Sequence, residues 1–214
     1  MVQIYPSLIS SDLLNLRSTI ELLDPVVSGY HIDVMDFHFV PNLTWGPDFI
    51  AAISQATKKP LMIHLMVNYP ENYFDRLSLT ANDYLCVHPE SYSDLSFSQL
   101  LASIKERGWI PSIALNPETP LSYLQTHNKL AQQVLLMAVQ AGFSGQKLLP
   151  IVYEKIDEIK ALQLEKPITI AIDGGVTFEN ASKLVAKGAH QLVAGSAIFK
   201  EYDPVKAAIK LSQS

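Results

Sequence analysis

Thiol chemistry is almost missing from this chain of 214 residues, which carries a single cysteine, Cys86. One cysteine closes no internal disulfide, and its place in the apolar run Tyr84-Leu85-Cys86-Val87 marks a small core residue rather than a nucleophile. Basic residues are in deficit as well. Sixteen Lys and Arg stand scattered against 21 Asp and Glu, a formal net charge of -5, so no basic field exists for a nucleic-acid backbone, and an anionic ligand must be gripped locally. No apolar stretch is long enough to span a bilayer, and Met1-Val2-Gln3 leads straight into a strand pattern without a basic leader. A cytoplasmic protein that does not enter a membrane is therefore expected. Ser/Gly-rich linkers, low-complexity tracts and charge blocks are missing too. With 48% hydrophobic residues the chain can bury a large core, and one domain over residues 1–214 is the economical expectation.

What is present is an alternation of short β-rich runs with longer amphipathic segments. The strand patterns fall at residues 3–8, 29–35, 61–67, 83–88, 110–115, 133–139, 168–172 and 191–194. Helical patterns lie between them, among them residues 12–23, 95–105, 149–162 and 177–186. Several open on cap chemistry: Ser11-Asp12 before the first, Pro120 after Asn116-Pro117-Glu118-Thr119, and Thr177 with Asn180. Eight βα units predict an α/β fold, a single-domain (β/α)8 TIM barrel, whose active site belongs at the C-terminal ends of the strands.

Three segments concentrate metal-ligating residues at such ends. They are His31-Ile32-Asp33-Val34-Met35, His64-Leu65-Met66 and Asp173-Gly174-Gly175. Residues two apart in a strand share a face, so His31, Asp33 and Met35 project together, as do His64 and Met66. Each His or Asp taken singly reads most simply as a buried polar group satisfied by hydrogen bonds. Four converging at strand ends read differently, because two buried carboxylates without a cation are costly. Two nitrogen and two oxygen donors, from His31, Asp33, His64 and Asp173, suit one divalent ion, Zn, Mn, Fe or Co, with positions left for a substrate's oxygens.

A second set of features concerns an anion. Gly142-Phe143-Ser144-Gly145-Gln146 follows the sixth strand pattern, Asp173-Gly174-Gly175-Val176 the seventh and Ala194-Gly195-Ser196-Ala197 the eighth. Such glycines make tight βα turns and also let backbone N–H groups approach a ligand closely. Three of these loops at the end where this barrel habitually holds phosphate favour a phosphate site.

These motifs, in this order, together with Pro6-Ser7-Leu8, His38-Phe39-Val40-Pro41-Asn42, Gly46-Pro47, Asn116-Pro117-Glu118-Thr119-Pro120 and Gly195-Ser196-Ala197, resemble the ribulose-phosphate 3-epimerase family over almost the whole chain. The resemblance implies interconversion of ketose phosphates epimeric at C3, with His31, Asp33, His64 and Asp173 as metal ligands. It also implies that Ser7 helps position substrate, that Met35, Met66 and Met137 line the reacting carbons, and that the assembly is a homo-oligomer. The chemistry suits the residue types. Inversion beside a C2 ketone needs a proton removed from one face and returned to the other through an enediolate, work for two carboxylates, Asp33 and Asp173.

The chain departs from the family pattern close to the site. Phe37 stands where the family has Gly, so it must adopt an ordinary φ or bear strain, and it is placed to reshape the pocket. Ala141 and Ser144 replace a Pro and a Gly, which should alter how that loop closes. Two other readings therefore stand beside the pentulose epimerase: a sister epimerase of D-allulose 6-phosphate, towards which His88-Pro89-Glu90 and Ser144 lean, and a barrel that binds a sugar phosphate without turnover. Plainer roles are expected elsewhere: loop hydrogen bonding for His38, a satisfied buried imidazole for His88, surface positions for His127 and His190, and a helix start for Glu118.

Overall fold

The computed structural model describes the backbone of residues 1–214 and all side chains except those of Ser91 and Asp94. Eight parallel strands form one sheet: β1 (Gln3–Pro6), β2 (Tyr30–Met35), β3 (Leu61–Met66), β4 (Tyr84–Val87), β5 (Ile110–Leu115), β6 (Gln133–Met137), β7 (Thr169–Asp173) and β8 (Gln191–Ala194). β1 pairs with β8, and the order then runs back through β7 to β2. The bridge between Ser7 and His31 brings the two ends of this order together, so the sheet curls into a barrel. Each expected strand is present, two with the expected bounds and the rest within two residues of them.

Why these runs are strands follows from their two buried faces. β2 and β3 are buried at every position, as strands of a parallel barrel must be. Ile32, Val34, Ile63 and Leu65 join the large outer core between sheet and helices, where a fully buried aliphatic side chain is worth about 1.5–3 kcal/mol. The alternate positions face the barrel axis. Tyr5, Met62, Cys86, Ala114, Leu135, Ala171 and Val193 fill its interior, which makes Cys86 the small core residue expected. Its thiol is pushed up to about 12 by burial, so it is inert at neutral pH. Below them Gln191 Nε2 donates to Gln3 Oε1 at 2.7 Å, and Gln133 donates to Gln191.

The outer layer comprises α1 (Leu16–Leu23), α2 (Pro47–Ala56), α3 (Asp94–Glu106), α4 (Ser122–His127), α5 (Ile151–Ala161), α6 (Phe178–Lys187), α7 (Ser196–Phe199) and α8 (Pro204–Ser212). The connection from β3 to β4 is a 3₁₀ helix, Pro70–Arg76, rather than an α-helix. α1 begins a turn later than the pattern at residues 12–23 predicts. The Asp12 carboxylate accepts from Leu14 N and Asn15 Nδ2, forming a separate turn, and Asn15 holds the cap position. At α6 the expected cap is present: Asn180 Oδ1 accepts from Thr177 N at 2.8 Å.

Two plain-role expectations fail. His127 is buried, not on the surface; it ends α4 with Nδ1 3.0 Å from Ser98 Oγ of α3 and its ring edge-on to Phe97. Glu118 lies exposed in the turn before α4, which begins only at Ser122. His190 is exposed as expected, although its Nδ1 accepts from Ile170 N.

Candidate active site and metal centre

Strand register assembles the site. β2 and β3 pair so that Asp33 lies beside His64 and Met35 beside Met66, while β6 and β7 set Met137 beside Asp173. Each of the two carboxylates then touches each of the two imidazoles. His31 Nδ1 lies 3.4 Å from Asp33 Oδ2 and its Nε2 3.6 Å from Asp173 Oδ2; His64 Nδ1 lies 3.2 Å from Asp33 Oδ1 and 3.5 Å from Asp173 Oδ2. One ligand atom from each of the four residues falls within 4.8 Å of all the others, and all four residues are buried.

This group fits a cation better than it fits itself. Both ring nitrogens of His31 are buried without a hydrogen-bond partner, an arrangement that a folded protein avoids unless a ligand completes it. Among the described residues no Lys or Arg pairs with Asp33 or Asp173. Protons stand in where a cation would. Burial disfavours the charged imidazoles, yet the two carboxylates prevail, raising His31 and taking His64 up to about 9. Burial likewise opposes ionisation of Asp33, and His31 and His64 overcome it, holding that carboxyl well below its ordinary range. The set could hold one divalent ion through two nitrogens and two oxygens.

Around this centre the cavity gathers the other expected residues. Ser7, just past β1, donates from Oγ to Asp33 Oδ2 at 2.9 Å and so orients that carboxylate. Met35, Met66 and Met137 end their strands and line the cavity beside Asp33 and Asp173. Three loops also line it: Gly142, Ser144 and Gly145 after β6, Gly174 and Gly175 after β7, and Gly195 and Ser196 after β8. Gly174 and Gly175 have no substitute there. Their φ values are 102° and 65°, and an added Cβ would come within 2.3 Å of Val139 Cγ2 and 2.4 Å of Leu148 N respectively.

The departures from the family pattern are absorbed locally. Phe37 takes the left-handed φ of 65° that a Gly would occupy freely, a strain of about 1–2 kcal/mol. The residue is 65% exposed and forms none of the cavity wall. In the loop after β6 the left-handed residues are Gly142 and Gly145; Ser144 needs no glycine backbone. Ala141 packs against the Met35, Val40 and Met66 cluster.

Sequence reasoning missed the layer behind the site. His88 is buried, but more than a satisfied core imidazole: its Nε2 lies 2.8 Å from His64 Nε2. The signal was available, since His88-Pro89-Glu90 repeats at the end of β4 the two-residue spacing of His31 and Asp33. Asp36 also escaped notice. Its carboxylate accepts from His38 N, Phe39 N and Asn68 N, joining the loops after β2 and β3. His38 is exposed and bonds within its own loop, as expected.

The fold and site define a (β/α)8 barrel with a buried two-histidine, two-aspartate centre at the C-terminal mouth. Comparison with known proteins carries this to a family. The sequence profile of the ribulose-phosphate 3 epimerase family matches residues 3–199, and the chain belongs to that family. A ribulose-phosphate 3-epimerase of Bacillus subtilis (strain 168) is 38% identical over 213 residues, covering 97% of this chain and 96% of the relative. Another of that name, from Methanocaldococcus jannaschii, is 37% identical and covers 98% and 89%. Among solved structures, 3-hexulose-6-phosphate synthase from Salmonella typhimurium superposes with a TM-score of 0.71 over 99% of this chain and 97% of its own, at 20% identity, a likeness of fold.

Proposed function

We propose that this carbohydrate epimerase interconverts D-ribulose 5-phosphate and D-xylulose 5-phosphate by inverting C3. The observation that carries the reading is the pair of carboxylates, Asp33 and Asp173, sharing one buried cavity with the two imidazoles and three glycine-bearing loops. His31, Asp33, His64 and Asp173 would hold the divalent ion, Zn, Mn, Fe or Co. Bound there, such an ion supplies positive charge against the negative charge that develops on the substrate's oxygens.

The chain's own residues do the rest. One of the two aspartates starts ionised and takes the C3 proton; the other starts protonated and delivers its proton to the opposite face of C3, and the pair exchange roles with the direction of reaction. Ser7 holds the Asp33 carboxylate through its Oδ2, which limits the carboxylate's rotation before proton transfer. Met35, Met66 and Met137 make an apolar, polarisable wall that keeps water from the enediolate. Backbone N–H groups of the loops bearing Gly142, Ser144, Gly145, Gly174, Gly175, Gly195 and Ser196 take the phosphate, in a chain whose net charge offers no broader attraction. A homo-oligomer in the cytoplasm completes the reading, and no described helix is long and apolar enough to cross a membrane.

Turnover of purified protein loaded with Mn or Zn, assayed on D-ribulose 5-phosphate and on D-allulose 6-phosphate with a chelated control, tests it. Metal-dependent preference for the pentulose is the expected result. Preference for the hexulose would transfer the chain to the sister activity. Silence on both substrates would leave a barrel that binds without turnover.

A further inference from the structure

His64 and His88 present the same kind of nitrogen to each other, Nε2 to Nε2 at 2.8 Å, with both side chains buried. Only one of them can carry the hydrogen between them. Which one carries it is decided further along. The second nitrogen of His88, Nδ1, is buried without a well-aligned hydrogen bond, and the one acceptor beside it is Glu90 Oε2 at 3.3 Å among the described residues. The other oxygen of that carboxylate is taken: Oε1 accepts from Thr119 Oγ1 at 2.5 Å, from Asn116 Nδ2 at 2.8 Å and from Asn116 N at 3.4 Å. The loop that supplies these donors is itself fastened, because Lys155 Nζ donates to the carbonyl oxygens of Asn116 and Thr119 at 2.8 and 2.7 Å. Glu90 is thus clamped through one oxygen, with the other beside His88 Nδ1.

We propose that Glu90 and His88 are positioning residues that fix the tautomer of His64, so that its Nδ1 meets the metal centre as a bare lone pair. The order of protons follows link by link. An ionised carboxylate only accepts, so His88 Nδ1 carries hydrogen and His88 Nε2 does not. His64 Nε2 must then be the donor across the 2.8 Å contact. His64 Nδ1, 3.2 Å from Asp33 Oδ1, shares its proton with that carboxylate while no cation is bound; because Nε2 keeps its hydrogen, it is the Nδ1 proton that a metal displaces, leaving there the lone pair it requires. The same donors keep Glu90 ionised: burial opposes its charge, but His88 and Thr119 outweigh burial and bring the carboxyl to about 2.

Glu90→Gln is the informative change, because it is close to isosteric and reverses the chain. Its amide oxygen satisfies the donors of Asn116 and Thr119, which turns the amide N–H2 towards His88 Nδ1. His88 must then accept there and donate from Nε2, which drives hydrogen onto His64 Nδ1.

The inference rests on the metal-centre reading, and the experiment separates the two. Zn²⁺ is titrated into the full chain against a competing chelator, for the unsubstituted protein, His31→Ala and Glu90→Gln, at a temperature well below each melting midpoint. Glu90→Gln is expected to weaken zinc binding by about 10- to 100-fold. In the zinc-loaded unsubstituted protein, ¹⁵N shifts should show His88 with Nδ1 protonated and Nε2 bare, a readout that needs no variant to fold. Zinc affinity in Glu90→Gln within about threefold of the unsubstituted protein, even with a lowered melting point, or the opposite His88 tautomer, overturns the inference. Failure of the unsubstituted protein to take up zinc, or zinc binding undiminished in His31→Ala, overturns the metal centre and this inference with it.

Discussion

Asp33 and Asp173 are the only carboxylates in contact with both His31 and His64 among the described residues, and their proposed roles differ from those of ordinary ligands. A ligand alone lowers metal affinity when lost, whereas an acid/base residue stops proton transfer even with metal in place. Asp33→Asn and Asp173→Asn should each reduce kcat by at least about 10²–10⁴-fold at saturating metal, read as loss of C3-proton exchange in deuterated solvent. A near-normal exchange rate in either variant removes that residue from the pair. Titration of His64 gives a second expectation. Its imidazole sits near 9, above the ordinary 6.5, so the protonated form stabilises the metal-free fold fully below pH 6.5, and that contribution fades as pH rises through about 9. A metal needs the bare nitrogen, so uptake at neutral pH must expel a proton, and apparent affinity must climb with pH across this window. Calorimetry in buffers of different protonation enthalpy measures the released protons, and metal uptake without release would remove His64 from the ligand set.

At the scale of elements, the site depends on loops whose backbone leaves no latitude. The turn after β7 carries Gly174 and Gly175 in left-handed conformations pressed against Val139 and Leu148. Gly175→Ala would place Cβ 2.4 Å from a backbone nitrogen that cannot yield, and should destabilise the fold by at least about 2 kcal/mol. That corresponds to a fall of roughly 4–8 °C in Tm for a domain of this size, measurable by thermal unfolding, with KM for the sugar phosphate raised as well. An unchanged Tm would mean that the β7 turn relaxes freely. The strands themselves were legible in the sequence because each is an apolar run with flanking breakers. Helix starts were less so. Asp12 and Asn15 are both good cap residues, and only the local hydrogen bonds select Asn15.

For the whole molecule, a ligand bound by residues of β2, β3 and β7 ties together strands that are distant in sequence. At a metal concentration 100 times its dissociation constant, binding stabilises the native state by about 2.7 kcal/mol, or roughly 5–10 °C in Tm. Chelation should therefore lower Tm by that amount and abolish turnover, and restored metal should recover both. Loss of activity on chelation without a shift in Tm would place the ion outside this interstrand centre. The bridge of Ser7 to His31 adds to the same coupling, since it joins the two ends of the strand order next to the site.

The sequence by itself determined the barrel, the strand-end placement of His31, Asp33, His64 and Asp173, and the three glycine loops, because strand period and turn chemistry are local. It could not say where side chains without a local partner would point. Phe37 faces solvent in a strained conformation although its position predicts a pocket residue, and His127 is buried against Phe97 and Ser98 although its surroundings read as surface. The spacing of His88 and Glu90 was visible in the sequence, but their link to His64 was not, for the same reason. That link depends on β3 and β4 lying side by side and on a loop after β5 that Lys155 fastens from another helix, and contacts between segments so far apart in sequence exist only once the barrel has closed.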